Sequence, residues 1–82
     1  MAVEVHLWSG LRRFVDGRES VEVEASNVGE LLRGLAKIDP GLEAAIDAGV
    51  SVSIDGRIYG YTLTEPVSPE NEIYLLQRIK GG

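Results

Sequence analysis

The feature that most limits the fold is one capped helical segment set between two pairs of alternating segments. Residues 3–8 alternate Val3, Val5 and Leu7 against Glu4, His6 and Trp8, the period of a half-buried strand. Gly10, Asp16 and Gly17 mark residues 9–17 as a turn or short loop. Residues 18–24 alternate again, with Val21 and Val23 opposite Glu22 and Glu24, so the two runs predict an antiparallel hairpin. Asn27 then offers an N-cap, and Glu30 three residues on completes a capping box. Val28, Leu31, Leu32, Leu35 and Ile38 recur at helical spacing and give this helix one apolar face. Gly34 inside it costs about 1 kcal/mol relative to alanine, which close approach of the helix to a sheet would explain. Asp39-Pro40-Gly41 ends it.

Residues 42–48 suggest a short second helix closed by Gly49. Val50, Val52 and Ile54 predict a third strand, Asp55-Gly56 a hairpin turn and residues 57–63 a fourth strand. A loop with Pro66 and Pro69 leads to a last strand over 73–79, with Ile73, Leu75, Gln77 and Ile79 opposite Tyr74, Leu76 and Arg78. A helix between two hairpins packs across one mixed sheet, an α+β layer. This is the order of the β-grasp (ubiquitin-like) fold: about five strands, one main helix across them, and the first and last strands parallel at the centre. The expected domain is 1–76, followed by an extended tail, 77–82. Apolar residues are 44% of the chain, enough for one small core.

Several function classes drop out. There is no cysteine, hence no disulfide, thiolate nucleophile or cysteine metal site. The single histidine, His6, makes no metal cluster alone and reads as a surface residue. No spacing of Ser, His and Asp argues for a triad, so the domain supplies no acid, base or nucleophile of its own. A net charge of −5 without a basic stripe disfavours nucleic acid. No transmembrane run or signal peptide is recognisable, which points to the cytoplasm and away from membranes.

The chain ends Gln77-Arg78-Ile79-Lys80-Gly81-Gly82. A double glycine is a poor end for a strand, because glycine loses the most entropy on ordering and buries no side chain. It suits a tail that threads a narrow channel and presents its carboxylate to an enzyme. Six residues extended reach roughly 20 Å, far enough to insert while the body stays outside. Arg78 and Lys80 put positive charge on this tail, which suits an acidic groove on a protein partner. Arg12, Arg13 and Arg18 form a second basic group at the first turn.

The chain resembles the MoaD/ThiS family of ubiquitin-like sulfur carriers, and within it the small subunit of molybdopterin synthase. The likeness runs through Leu7-Trp8-Ser9-Gly10-Leu11-Arg12-Arg13, Asn27-Val28-Gly29-Glu30-Leu31-Leu32, Asp39-Pro40-Gly41-Leu42 and Ile54-Asp55-Gly56. It ends with Pro66-Val67, Asn71-Glu72-Ile73-Tyr74-Leu75-Leu76 and Gly81-Gly82. Gln77 and Arg78 stand where the family often has prolines, Asp55 where it often has asparagine, and Asn71 where it often has aspartate. The Leu11–Arg13 loop and the 42–48 segment favour the molybdopterin side over the thiamine side.

The resemblance implies that an adenylating enzyme related to ubiquitin-activating enzymes uses ATP, with magnesium, to activate the Gly82 carboxylate. Gly82 becomes an acyl-adenylate and then a thiocarboxylate. Gly81, Lys80, Ile79 and Arg78 thread the partner's site, and sulfur passes to a cofactor precursor in the large synthase subunit. The chain itself would bind no cofactor or metal and would be the sulfur-donating part of a two-subunit transferase. Trp8, Tyr74 and Leu76 fall on the outer sheet face by alternation, an apolar patch beside the tail suited to a partner. Tyr59 or Tyr61 could join it. Three alternatives use the same residues: a protein modifier joined to lysines through Gly82, a thiamine-pathway sulfur carrier, and a β-grasp interaction module whose double glycine is incidental.

Overall fold

The computed structural model describes residues 1–59 and 62–77. The strands are β1 (Ala2–His6), β2 (Ser20–Glu24), β3 (Val50–Ile54), β4 (Arg57–Tyr59) and β5 (Ile73–Gln77), and the helices are α1 (Val28–Ala36) and α2 (Pro40–Ala48). They form one sheet in the order β2-β1-β5-β3-β4. β5 lies parallel to β1 and antiparallel to β3, and both hairpins are antiparallel. The expected mixed five-stranded sheet with its parallel central pair is what the chain forms.

Register explains the core. Val21, Val5, Ile73 and Ile54 are successive partners across four strands, and Val23–Val3 and Val52–Leu75 lie beside them on the same face. Leu31 and Leu35 of α1 and Leu42 of α2 close over these rows and are fully buried. Burying each such side chain contributes about 1.5–3 kcal/mol. Gly34 sits where α1 meets β2: a Cβ there would lie 3.2 Å from the Val23 Cβ, so the glycine permits the close approach. Of the predicted apolar stripe, Leu32 is half-buried and Ile38, beyond the helix, is exposed.

Three local readings change. Residues 9–17 are not a simple loop: Ser9–Val15 form a 3₁₀ helix that buries Leu11 and Val15 and ends on Asp16 in the left-handed region, φ 57°. Asp39-Pro40 ends the first helical run and also starts α2, where the Asp39 carboxylate accepts the Gly41 N–H at 2.7 Å and Pro40 needs no donor. The fourth strand is described only over Arg57–Tyr59, and Leu63 lies in a turn. That turn is bolted to α1. The Val28 and Gly29 N–H groups donate to the Glu65 and Leu63 carbonyls at 2.9 and 2.8 Å, and Val67 N–H donates back to the Ser26 carbonyl at 3.0 Å. Two of the helix end's free donors are thus satisfied by the chain's own backbone, and the Glu30 N–H by the Asn27 side chain.

Candidate functional site: the outer sheet face and the strand that leads to the tail

One residue along from the core rows, every strand turns a side chain outward. Ser20, His6, Tyr74, Ser53 and Ile58 are successive partners across all five strands. His6 and Tyr74 stack with ring centroids 4.7 Å apart and an interplanar angle of 23°. His6 Nε2 also lies 3.7 Å from Glu4 Oε1, and the Ser20 hydroxyl donates to Glu4 Oε2 at 2.8 Å. The Glu72 carboxylate beside Tyr74 holds its phenol above the usual value, first by charge and then by hydrogen bonding. Tyr74 is 39% exposed and Leu76 half-buried.

Trp8 arrives by a different route from the one alternation predicts. β1 stops at His6, and Trp8 becomes the residue that starts the 3₁₀ helix, with extended backbone at φ −72° and ψ 161°. Its indole lies over Gly10, where a Cβ would be 2.9 Å from Nε1, and one side of it packs on the core. Trp8, His6, Tyr74 and Leu76 still line one concavity, whose rim carries Arg12 and Glu19. Arg12 is held there by Nε donating to the Leu7 carbonyl at 3.3 Å. Sequence reasoning left His6 and Arg12 out of this patch. The β1–β5 parallel pairing that places His6 against Tyr74 could have revealed the first. Tyr59 pairs with Val52 and packs on the core side, away from the patch. Tyr61 and the tail residues Arg78, Ile79, Lys80, Gly81 and Gly82 lie outside the described residues.

The strand that leads toward those residues is the central one of the sheet. β5 is paired on both sides, and its start is clasped by the β3–β4 turn. Asp55, at φ 51°, accepts the Asn71 side-chain amide at 2.7 Å and the Glu72 N–H at 2.8 Å, while its own N–H donates to the Glu72 carbonyl at 2.9 Å. Asn71 Oδ1 in turn accepts the Ser68 N–H at 2.8 Å. Among the described residues no group of three or more His, Asp or Glu could hold a metal ion, and no helix is long and apolar enough to cross a membrane.

A mixed five-stranded sheet with this strand order and helices on one face defines a ubiquitin-like β-grasp protein. Its neighbours among solved structures are ubiquitin-fold proteins of the MoaD/ThiS type, in keeping with the resemblance read from the sequence. SAMP1 from Haloferax volcanii, a small archaeal modifier protein, is 25% identical with a TM-score of 0.75, covering 100% of both chains. The Amycolatopsis orientalis BexX/CysO complex contains a chain 21% identical, TM-score 0.76, covering 99% of this chain and 100% of that one. The complex of subunits 1 and 2 of molybdopterin-converting factor from Helicobacter pylori contains a chain 22% identical, TM-score 0.68, again covering 100% of both. No protein-family model and no curated protein matches the chain.

Proposed function

We propose that this protein is a sulfur carrier whose Gly82 carboxylate is adenylated and converted to a thiocarboxylate, and that the sulfur serves molybdopterin synthesis. One observation carries the reading: β5, the strand that precedes Gly81-Gly82 in sequence, is the doubly paired, clasped centre of a ubiquitin-like sheet. A reactive end that follows a strand paired on both sides is tied to a fixed point of the body. A carboxylate is a poor acyl donor. Joined to AMP, with loss of pyrophosphate, it gains a good leaving group, and a sulfur nucleophile at the sulfide level displaces AMP to leave the thiocarboxylate. Gly81 and Gly82 let the backbone enter a tight site. An adenylating enzyme of the ubiquitin-activating type supplies the ATP and magnesium chemistry in the cytoplasm, and a large synthase subunit receives the sulfur. Trp8, Tyr74 and Leu76 are the docking residues, with Arg78, Ile79 and Lys80 threading. The molybdopterin-converting factor neighbour, itself in a complex of two subunits, supports this choice of pathway.

A second reading has its own support. SAMP1 is a modifier protein at 25% identity, so conjugation of Gly82 to lysines is the competing outcome. Intact mass of the chain purified from its own host, with and without the co-expressed adenylating enzyme, separates the two. Replacement of one terminal oxygen by sulfur adds about 16 Da, placed at Gly82 by fragment ions. Gly82 found in isopeptide linkage, with no such shift, overturns the sulfur-carrier reading.

A further inference from the structure

The free edge of β2 is built to take an added strand. Hydrogen bonds from Leu7 N–H to the Glu19 carbonyl and from Ala25 N–H to the Met1 carbonyl, both 2.9 Å, bracket the β1–β2 ladder. With the printed register they place the bonded pairs at Val5–Val21 and Val3–Val23. The N–H and C=O groups of Ser20, Glu22 and Glu24 therefore point away from β1, along an edge that no described strand pairs. The same edge carries unbalanced charge. Glu4 and Glu22 are directly opposed across β1 and β2, an arrangement that costs stability. Among the described residues Glu22 has no ion pair, while Glu24 holds the N-terminal ammonium at 3.0 Å. Glu4, Glu22, Ser20, Val21 and the exposed Ile38 line one concavity along this edge, with Arg18 at its end.

We infer that this edge binds the Arg78-Ile79-Lys80 segment of a second copy of the chain as a sixth strand. The alternation of that segment complements the edge. Arg78 and Lys80 would fall on the face that carries Glu4, Glu22 and Glu24, and Ile79 on the face of Val21 and Ile38. None of residues 77–82 is proline, so every one can donate to a ladder. Two β2 edges cannot pair with each other in this way, because glutamates would face glutamates. The chain's own tail is excluded by length. A strand beyond β2 lies three strand spacings from β5, about 14 Å. The three residues from Arg78 to Lys80 reach at most about 11 Å beyond Gln77, so the chain's own segment falls short of that gap. The contact is head-to-tail, and while it lasts it withholds the tail from any other partner. It needs only residues 78–80 and stands whether or not Gly82 ever carries sulfur.

The test is a titration of the ¹⁵N-labelled full chain with a synthetic peptide, acetyl-Gln-Arg-Ile-Lys-Gly-Gly, to millimolar concentration. Amide shifts at Ser20, Glu22, Glu24 and Ile38 are expected, reduced by salt and weakened about tenfold by Glu22→Lys with Glu24→Lys. The peptide carrying Arg78→Glu and Lys80→Glu should then bind that doubly substituted chain, which a merely disturbed fold would not allow. Sedimentation should show self-association of the full chain that survives removal of Gly81 and Gly82 and is lost with Arg78→Glu and Lys80→Glu. Loss of thiocarboxylate without loss of association separates this contact from the chemistry proposed for Gly82. Shifts confined to the Trp8 concavity, binding indifferent to Glu22, or no binding at millimolar peptide would each overturn the inference.

Discussion

On the helix side of the sheet, Val21, Val5, Ile73 and Ile54 are sealed beneath α1 and α2. One residue further along the same strands, Ser20, His6, Tyr74, Ser53 and Ile58 look outward. The backbone and the pairing are shared, so the contrast comes only from the two-residue period of a strand. The inner row is almost wholly withdrawn from water and holds the fold. The outer row keeps Tyr74 and Ile58 open and makes its contacts by stacking and by exposed hydrogen bonds. A small domain can therefore separate stability from recognition without separate structural parts.

The sharpest way to break this comparison is to truncate one residue on each side. Leu31→Ala should lower unfolding free energy by about 3 kcal/mol in urea melts, since its side chain has no solvent contact. Tyr74→Ala should cost under about 1 kcal/mol in the same melts while weakening partner pull-down. Equal losses of stability would show that the two faces are not independent. Next comes the clasp at the start of β5. Asp55→Ala should cost about 1 kcal/mol, having removed two hydrogen bonds to exposed partners. Asp55→Asn with Asn71→Asp exchanges amide and carboxylate and should recover most of that loss. Asn27→Ala removes the cap that accepts the Glu30 N–H at 2.8 Å and should cost about 1 kcal/mol, read as a lowered melting temperature.

The smallest effect is a pH dependence. The Glu30 carboxylate accepts the Ser26 N–H at 2.8 Å, and that bond chiefly holds its pKa below the ordinary glutamate range. A folded pKa below the unfolded one gives stability that is present above the unfolded value and lost as pH falls through the folded one. Glu30→Gln, which mimics the protonated acid, should lower stability slightly at neutral pH, leave the most acid region nearly unchanged and so flatten the acid limb of the stability curve.

Much of the fold was legible because local signals agreed. The Asn27–Glu30 cap, the alternation of β1 and β2 and the Asp55-Gly56 turn each appear where the residues place them. Gly34 could be read as a close-approach glycine before its neighbour, Val23, was known. What stayed hidden depends on contacts distant in sequence. Leu11 and Val15 drive a 3₁₀ turn into the core, a pull that Gly10, Asp16 and Gly17 mask locally. Trp8 continues the alternation of β1 in sequence but not in space, because the strand has already ended. Asp55 and Asn71 read as two unrelated departures from a family pattern. In the fold they meet in one hydrogen bond, carboxylate and amide having changed places.

The position of β5 also sets the order of events when the chain folds. Among the described residues it is the last strand in sequence and the middle strand in space, inserted between partners 19 to 27 and 68 residues earlier. The N-terminal hairpin and α1 can form from near neighbours, but the sheet has no centre until residues 73–77 have been synthesised. Closing so long a loop is slow relative to local helix formation. On the ribosome the two halves must wait, their apolar faces only partly covered, for the segment that leads to the double glycine. A chain that stops short of β5 would lack its central strand and should fail as a folded domain before it could fail as a carrier.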